Sequence, residues 1–98
     1  MNKSTVIAKL REREAQLQGS GILHLFVFGS RARGDESPVS DVDLMVDYDR
    51  AKKLTLFDKA GLEVELAEIL KVPVDLCDRE MLEGSVRARA EREAVLVF

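Results

Sequence analysis

Apolar positions near the start of the chain recur at helical spacing. Val6, Ile7, Leu10 and Leu17 fall roughly on one stripe of residues 4–18, with Lys9, Arg11, Arg13 and Glu14 largely elsewhere. This predicts an amphipathic packing helix, stopped by Gly19-Ser20-Gly21. Residues 22–28, ILHLFVF, are apolar on both faces, as in a strand with helices covering at least one side. His24 interrupts that run well before the strand ends, which reads as a structural position and not as a general base. Residues 43–46 read as a second strand. Alternation puts Asp41 and Asp43 on one side and Val42, Leu44 and Val46 on the other. Thr55 and Asp58 match a capping box that opens a helix with Leu62, Leu66, Ile69 and Leu70 on its apolar stripe. Its Glu63, Glu65 and Glu68 form a solvated face. Pro73 introduces a strand over 74–78, in which Val74 and Leu76 share one side and Asp75 and Cys77 the other. A short connection, an Arg- and Glu-rich helix over 86–92 and a terminal strand over 94–98 complete the pattern.

The stretch from Leu25 to Asp47, LFVFGSRARGDESPVSDVDLMVD, concentrates the chemistry. An apolar strand ends abruptly at Gly29-Ser30. Glycine lets the backbone approach a phosphate closely, and the serine adds a hydroxyl and an N–H donor at a helix start. After ten intervening residues, Asp41 and Asp43 bring two carboxylates one strand-step apart. Such a pair suits a hard cation such as Mg²⁺ that also holds a nucleotide's phosphate oxygens. Arg31 and Arg33 in the intervening loop are read either as solvated or as an electrostatic clamp on the phosphates. Asp35 and Glu36 read as solvated, and Ser40 as a brace for Asp41 or a cap to the turn.

Uninterrupted, GSRARGDESPVSDVDLMV resembles the signature of the DNA polymerase β-type nucleotidyltransferase superfamily, and within it the minimal nucleotidyltransferases, which carry GSRARG followed by SDxDLxV. The resemblance runs over nearly the whole chain. It implies a third aspartate on a later strand, matched by Asp75, and a final apolar strand, matched by residues 94–98. The fold it implies is α/β, a mixed sheet of four to five strands with helices packed mainly on one face and the three aspartates on the open one. The mechanism it implies uses Mg²⁺ held by Asp41 and Asp43, ATP held by Gly29, Ser30, Arg31 and Arg33, and Asp75 as a base or a further metal ligand. It also implies a partner, a HEPN-domain ribonuclease toxin, with this chain as the antitoxin that transfers AMP to a toxin tyrosine. A non-catalytic antitoxin that neutralises by covering its toxin, and transfer to a small-molecule hydroxyl such as an aminoglycoside's, are the alternatives.

Composition narrows the remaining classes. Ninety-eight residues suit one domain with a single core, and no linker, repeat or low-complexity segment divides it. The net charge of -3 without a basic stretch argues against nucleic acid as a partner. A single cysteine, Cys77, excludes an intrachain disulfide and fits a reducing compartment. With no basic neighbour in sequence, Cys77 reads as packing and not as a nucleophile. The N-terminus becomes charged after three or four apolar residues, so neither a signal peptide nor a membrane span is expected, and the expected location is cytoplasmic. The terminal VLVF would invite pairing if left exposed, which keeps homo-oligomerisation and partner docking both open.

Overall fold

The computed structural model describes residues 2–28 and 41–98. Among these, helices α1 (Lys3–Arg11) and α2 (Glu14–Gly19) precede strand β1 (Ile22–Phe28). Strand β2 (Val42–Tyr48), helix α3 (Leu56–Leu70), strand β3 (Val74–Asp78), helix α4 (Gly84–Glu93) and strand β4 (Val95–Leu96) follow. Single 3-10 turns occupy Arg50–Lys52 and Arg79–Met81. The expected first helix is two helices. Arg13 leaves helical geometry at φ -110 and ψ 15, and its N–H bonds the Leu10 carbonyl three residues back. No residue of the Glu12-Arg13-Glu14 run is apolar, so nothing pins that turn to the core, whereas Leu10 and Leu17 on either side are fully buried.

The strands form one four-stranded mixed sheet in the order β3-β2-β1-β4. Strand β1 is antiparallel to both β2 and β4, and β2 is parallel to β3. One face carries Leu25, Val27, Val42, Leu44 and Val46, all without exposure, packed in one core with Val6, Leu10 and Leu17 from α1 and α2 and Leu62, Leu66 and Leu70 from α3. Arg11 Nε donates to the Val97 carbonyl at 2.8 Å and ties α1 to the end of the chain. No described helix is long and apolar enough to cross a membrane.

Turn chemistry sets the boundaries. Gly21 sits at φ +114, a conformation that L side chains rarely adopt, so glycine is favoured before β1, and a Cβ there would also press on the Leu54 side chain, 2.7 Å from its Cδ1. The capping box is present in full: Thr55 Oγ1 accepts from the Asp58 N–H at 3.1 Å, and Asp58 Oδ2 accepts from the Thr55 N–H at 2.8 Å. Strand β4 takes the outer edge of β1. The pairing runs past its two residues, because the Val97 N–H bonds the Leu25 carbonyl at 2.8 Å and the Phe98 carbonyl accepts from the Leu25 N–H at 3.2 Å.

The capping box leads to a stability prediction. The Thr55 backbone N–H, followed by the Thr55 hydroxyl, holds the Asp58 carboxyl below its ordinary range. A lowered folded pKa means that the stabilisation is complete at neutral pH and is lost as the pH falls through that lowered value. Thr55→Ala should cost about 1 kcal/mol at neutral pH. In urea titrations across the acid range, the advantage of the wild type over Asp58→Asn should vanish on acidification, and a constant difference would contradict the capping role.

Candidate functional site

Asp43 lies within β2 between Val42 and Leu44, both fully buried on the helix-covered face, so alternation turns the aspartate to the opposite face. Asp75 is its register partner on parallel β3. The pairing is anchored where the Val42 N–H bonds the Pro73 carbonyl at 3.0 Å. Partners on neighbouring parallel strands stand about 4.8 Å apart on the same side, so the two carboxylates are adjacent. Asp43 is half-buried and Asp75 exposed. Asp41 is exposed and lies one strand-step before Asp43, at the entry to β2. Among the described residues, no three His, Cys, Asp or Glu side chains stand close enough to form a complete metal-holding group. Gly29, Ser30, Arg31 and Arg33 fall outside the described residues.

The same face continues in rows across the sheet. Phe28 of β1 is the partner of Asp43; Phe26, Met45 and Cys77 form the next row; His24 and Asp47 follow. Asp47 was not singled out by the sequence pattern, yet only 9% of it is exposed. Arg79 Nε donates to its Oδ1 at 2.8 Å, and the Arg79 guanidinium lies 5.6 Å from the centre of the Phe26 ring. Strand β2 runs on to Tyr48, two residues past the expected end, because Asp47 and Tyr48 still pair with His24 and Ile22 of β1. The available signal was the alternation Asp43-Met45-Asp47, which carries the acidic face one step further. His24 stands beside Asp47, roughly 13 Å by strand rise from the Asp43 row, in keeping with a place outside the site.

Helix α4 leaves the β3 edge and delivers the chain to β4 at the far side of the sheet. A cavity of about 300 Å³ is lined by its Val86, Arg89, Ala90 and Glu93 together with Phe28 and Cys77 of the aspartate face. This face is therefore partly covered, while α1, α2 and α3 pack on the other. Burial, then the charges of Asp75, Asp43 and Asp78, push the Cys77 thiol up to about 11. Its thiolate is thus disfavoured by burial and by the neighbouring carboxylates.

Residues 7–97 match the nucleotidyltransferase domain family. The protein adenylyltransferase MntA of Thermococcus cleftensis is 35% identical over 89 residues, which span 91% of this chain and 82% of that protein. A solved structure provisionally named a minimal nucleotidyltransferase superposes with a TM-score of 0.81 at 33% identity, covering 97% of this chain and 95% of its own. A chain from the complex of a tri-AMPylated Shewanella oneidensis HEPN toxin with an MNT antitoxin superposes at 0.63 with 19% identity, over 90% and 68% of the two chains, a likeness of fold. The paired aspartates, the mixed sheet beneath them and a family match that reaches from α1 past β4 agree, and the chain belongs to the nucleotidyltransferase domain family.

Proposed function

We propose that this protein is the antitoxin of a HEPN–MNT pair and transfers AMP from ATP to a tyrosine hydroxyl of its toxin. The observation that carries the reading is the in-register pair Asp43–Asp75 on the face opposite the α1–α3 core, with Asp41 one step earlier. An all-carboxylate donor set suits a hard cation. Mg²⁺ commonly keeps one or two protein carboxylates and takes its remaining oxygens from phosphate and water. Asp41 and Asp43 would hold it. When bound, Mg²⁺ supplies neutralisation of the charge on the phosphate oxygens.

The chain's own groups divide the remaining work. Gly29 and Ser30 donate N–H and hydroxyl hydrogen bonds to the β- and γ-phosphates, and Arg31 and Arg33 pair with the same oxygens. Asp75 accepts the proton of the acceptor hydroxyl. The freed oxygen bonds the α-phosphorus, the bond from that phosphorus to the β-phosphate bridge breaks, and pyrophosphate leaves. The relatives lend support: one is named a protein adenylyltransferase, and one fold neighbour comes from a complex with an AMPylated HEPN toxin.

Intact-mass spectrometry tests the assignment. With ATP and Mg²⁺, a cognate HEPN-domain toxin should gain one or more AMP units, located on tyrosine by fragmentation. A toxin that is inhibited yet unchanged in mass would favour neutralisation by binding alone. Adenylylation of an aminoglycoside in place of the toxin would move the acceptor to small molecules.

A further inference from the structure

The cavity under α4 has no role in the transfer as described, yet it adjoins the paired carboxylates. Phe28 is the register partner of Asp43, and Cys77 stands two residues beyond Asp75 on the same strand face. Apolar groups make the walls: the Phe28 ring, the Cys77 thiol, Val86 and Ala90. Its two charged lining residues, Arg89 and Glu93, are paired at 3.5 Å, and the Arg89 side chain is 64% exposed. At about 300 Å³ the space is at the small end for ligand pockets, suited to a ring system and not to a whole nucleotide.

We infer that this cavity between α4 and the sheet receives the nucleobase of the nucleotide substrate, with Arg89 and Glu93 contacting the base's polar edge. This rests on the nucleotidyl-transfer reading and adds to it a place for the part of the nucleotide that the carboxylates and the phosphate turn leave unbound. A purine offers flat apolar faces to Phe28 and Val86 and, away from its ribose, an edge of ring nitrogens and an exocyclic group. A carboxylate accepts from an exocyclic amine and a guanidinium donates to ring nitrogens, so the Arg89–Glu93 pair matches that edge. An acceptor phenol fits less well. Its one polar atom must sit at the carboxylates, which leaves Arg89 and Glu93 facing bare ring carbon. The ribose and α-phosphate then bridge from the cavity to Asp43 on one continuous face.

Cys77, the only cysteine of the chain, reports occupancy without any substitution. Its alkylation at alkaline pH is followed by mass spectrometry with Mg²⁺ alone, with Mg²⁺–ATP and with Mg²⁺–tripolyphosphate, each ligand at a saturating level set by calorimetry. ATP should slow alkylation roughly tenfold or more, and tripolyphosphate, which has no base, should leave it unchanged. Arg89→Ala should weaken ATP binding roughly tenfold while tripolyphosphate binding holds. ATP that binds without protecting Cys77, or tripolyphosphate that protects equally, overturns the base pocket and leaves the transfer reading standing. Protection by the toxin but not by ATP also overturns it, assigning the cavity to the acceptor. Failure of both ligands to bind overturns the pocket and the nucleotidyl reading together.

Discussion

Replacing Asp43 by Asn should reduce AMP transfer roughly a thousandfold, equivalent to about 4 kcal/mol of transition-state stabilisation, while leaving the protein folded. Asparagine keeps the size of the side chain but removes the charge that, on the proposed mechanism, holds a divalent cation against phosphate. The position is half-buried on the sheet face opposite the main core, beside Asp75, so the change creates no cavity between strands and helices. KM for ATP should rise as the Mg²⁺-dependent part of ATP binding is lost, and kcat should stay low even at saturating ATP, because the bound nucleotide then lacks the cation that offsets charge developing at the α-phosphate. Transfer assays with quenched-flow sampling, run beside an unfolding curve for each protein, separate this from a folding defect. A variant that unfolds like the wild type and transfers within a few-fold of it removes Asp43 from the chemistry.

Leu66→Ala should produce a large loss of stability while sparing the site. Leu66 is fully buried at the centre of α3, in the core shared with Val6, Leu44 and Val46. Truncating such a leucine removes its transfer free energy and leaves a cavity, together about 3 kcal/mol. In a domain of this size that lowers Tm by roughly 12–24 °C. Urea melts should show a lower midpoint with an unchanged slope. Well below its midpoint, the variant should still transfer AMP, since the helix-covered face and the aspartate face are opposite sides of one sheet. A loss below about 1 kcal/mol would mean that α3 is not held to the sheet through this residue.

How much of this was legible from residues alone depended on range along the chain. Strands β1 and β3 begin and end where expected, because their punctuation is local: Gly21 at positive φ before the one, Pro73 before the other. The capping box at Thr55 was legible for the same reason. The break at Arg13 was not, since a charged turn between two buried leucines keeps nearly the periodicity of a continuous helix. Parity showed which side of its strand Asp75 takes, but its adjacency to Asp43 depends on β3 choosing the edge of β2, a pairing across more than thirty residues. The cavity under α4 depends on two such choices, with β3 at one edge of the sheet and β4 at the other forcing α4 between them. Asp47 carries no such local signal, because a buried acid inside a strand makes sense only with its partner, and Arg79 lies in a turn beyond α3 in the chain.

The central claim is that Asp43, beside Asp75, carries the cation-dependent handling of the nucleotide. Calorimetric titration of ATP into the wild type and Asp43→Asn, each with Mg²⁺ and with a chelator, tests it most directly. The wild type should bind ATP far more tightly with Mg²⁺ than without, and Asp43→Asn should show the same weak binding under both conditions. An Asp43→Asn protein that binds Mg²⁺–ATP as the wild type does would contradict the claim.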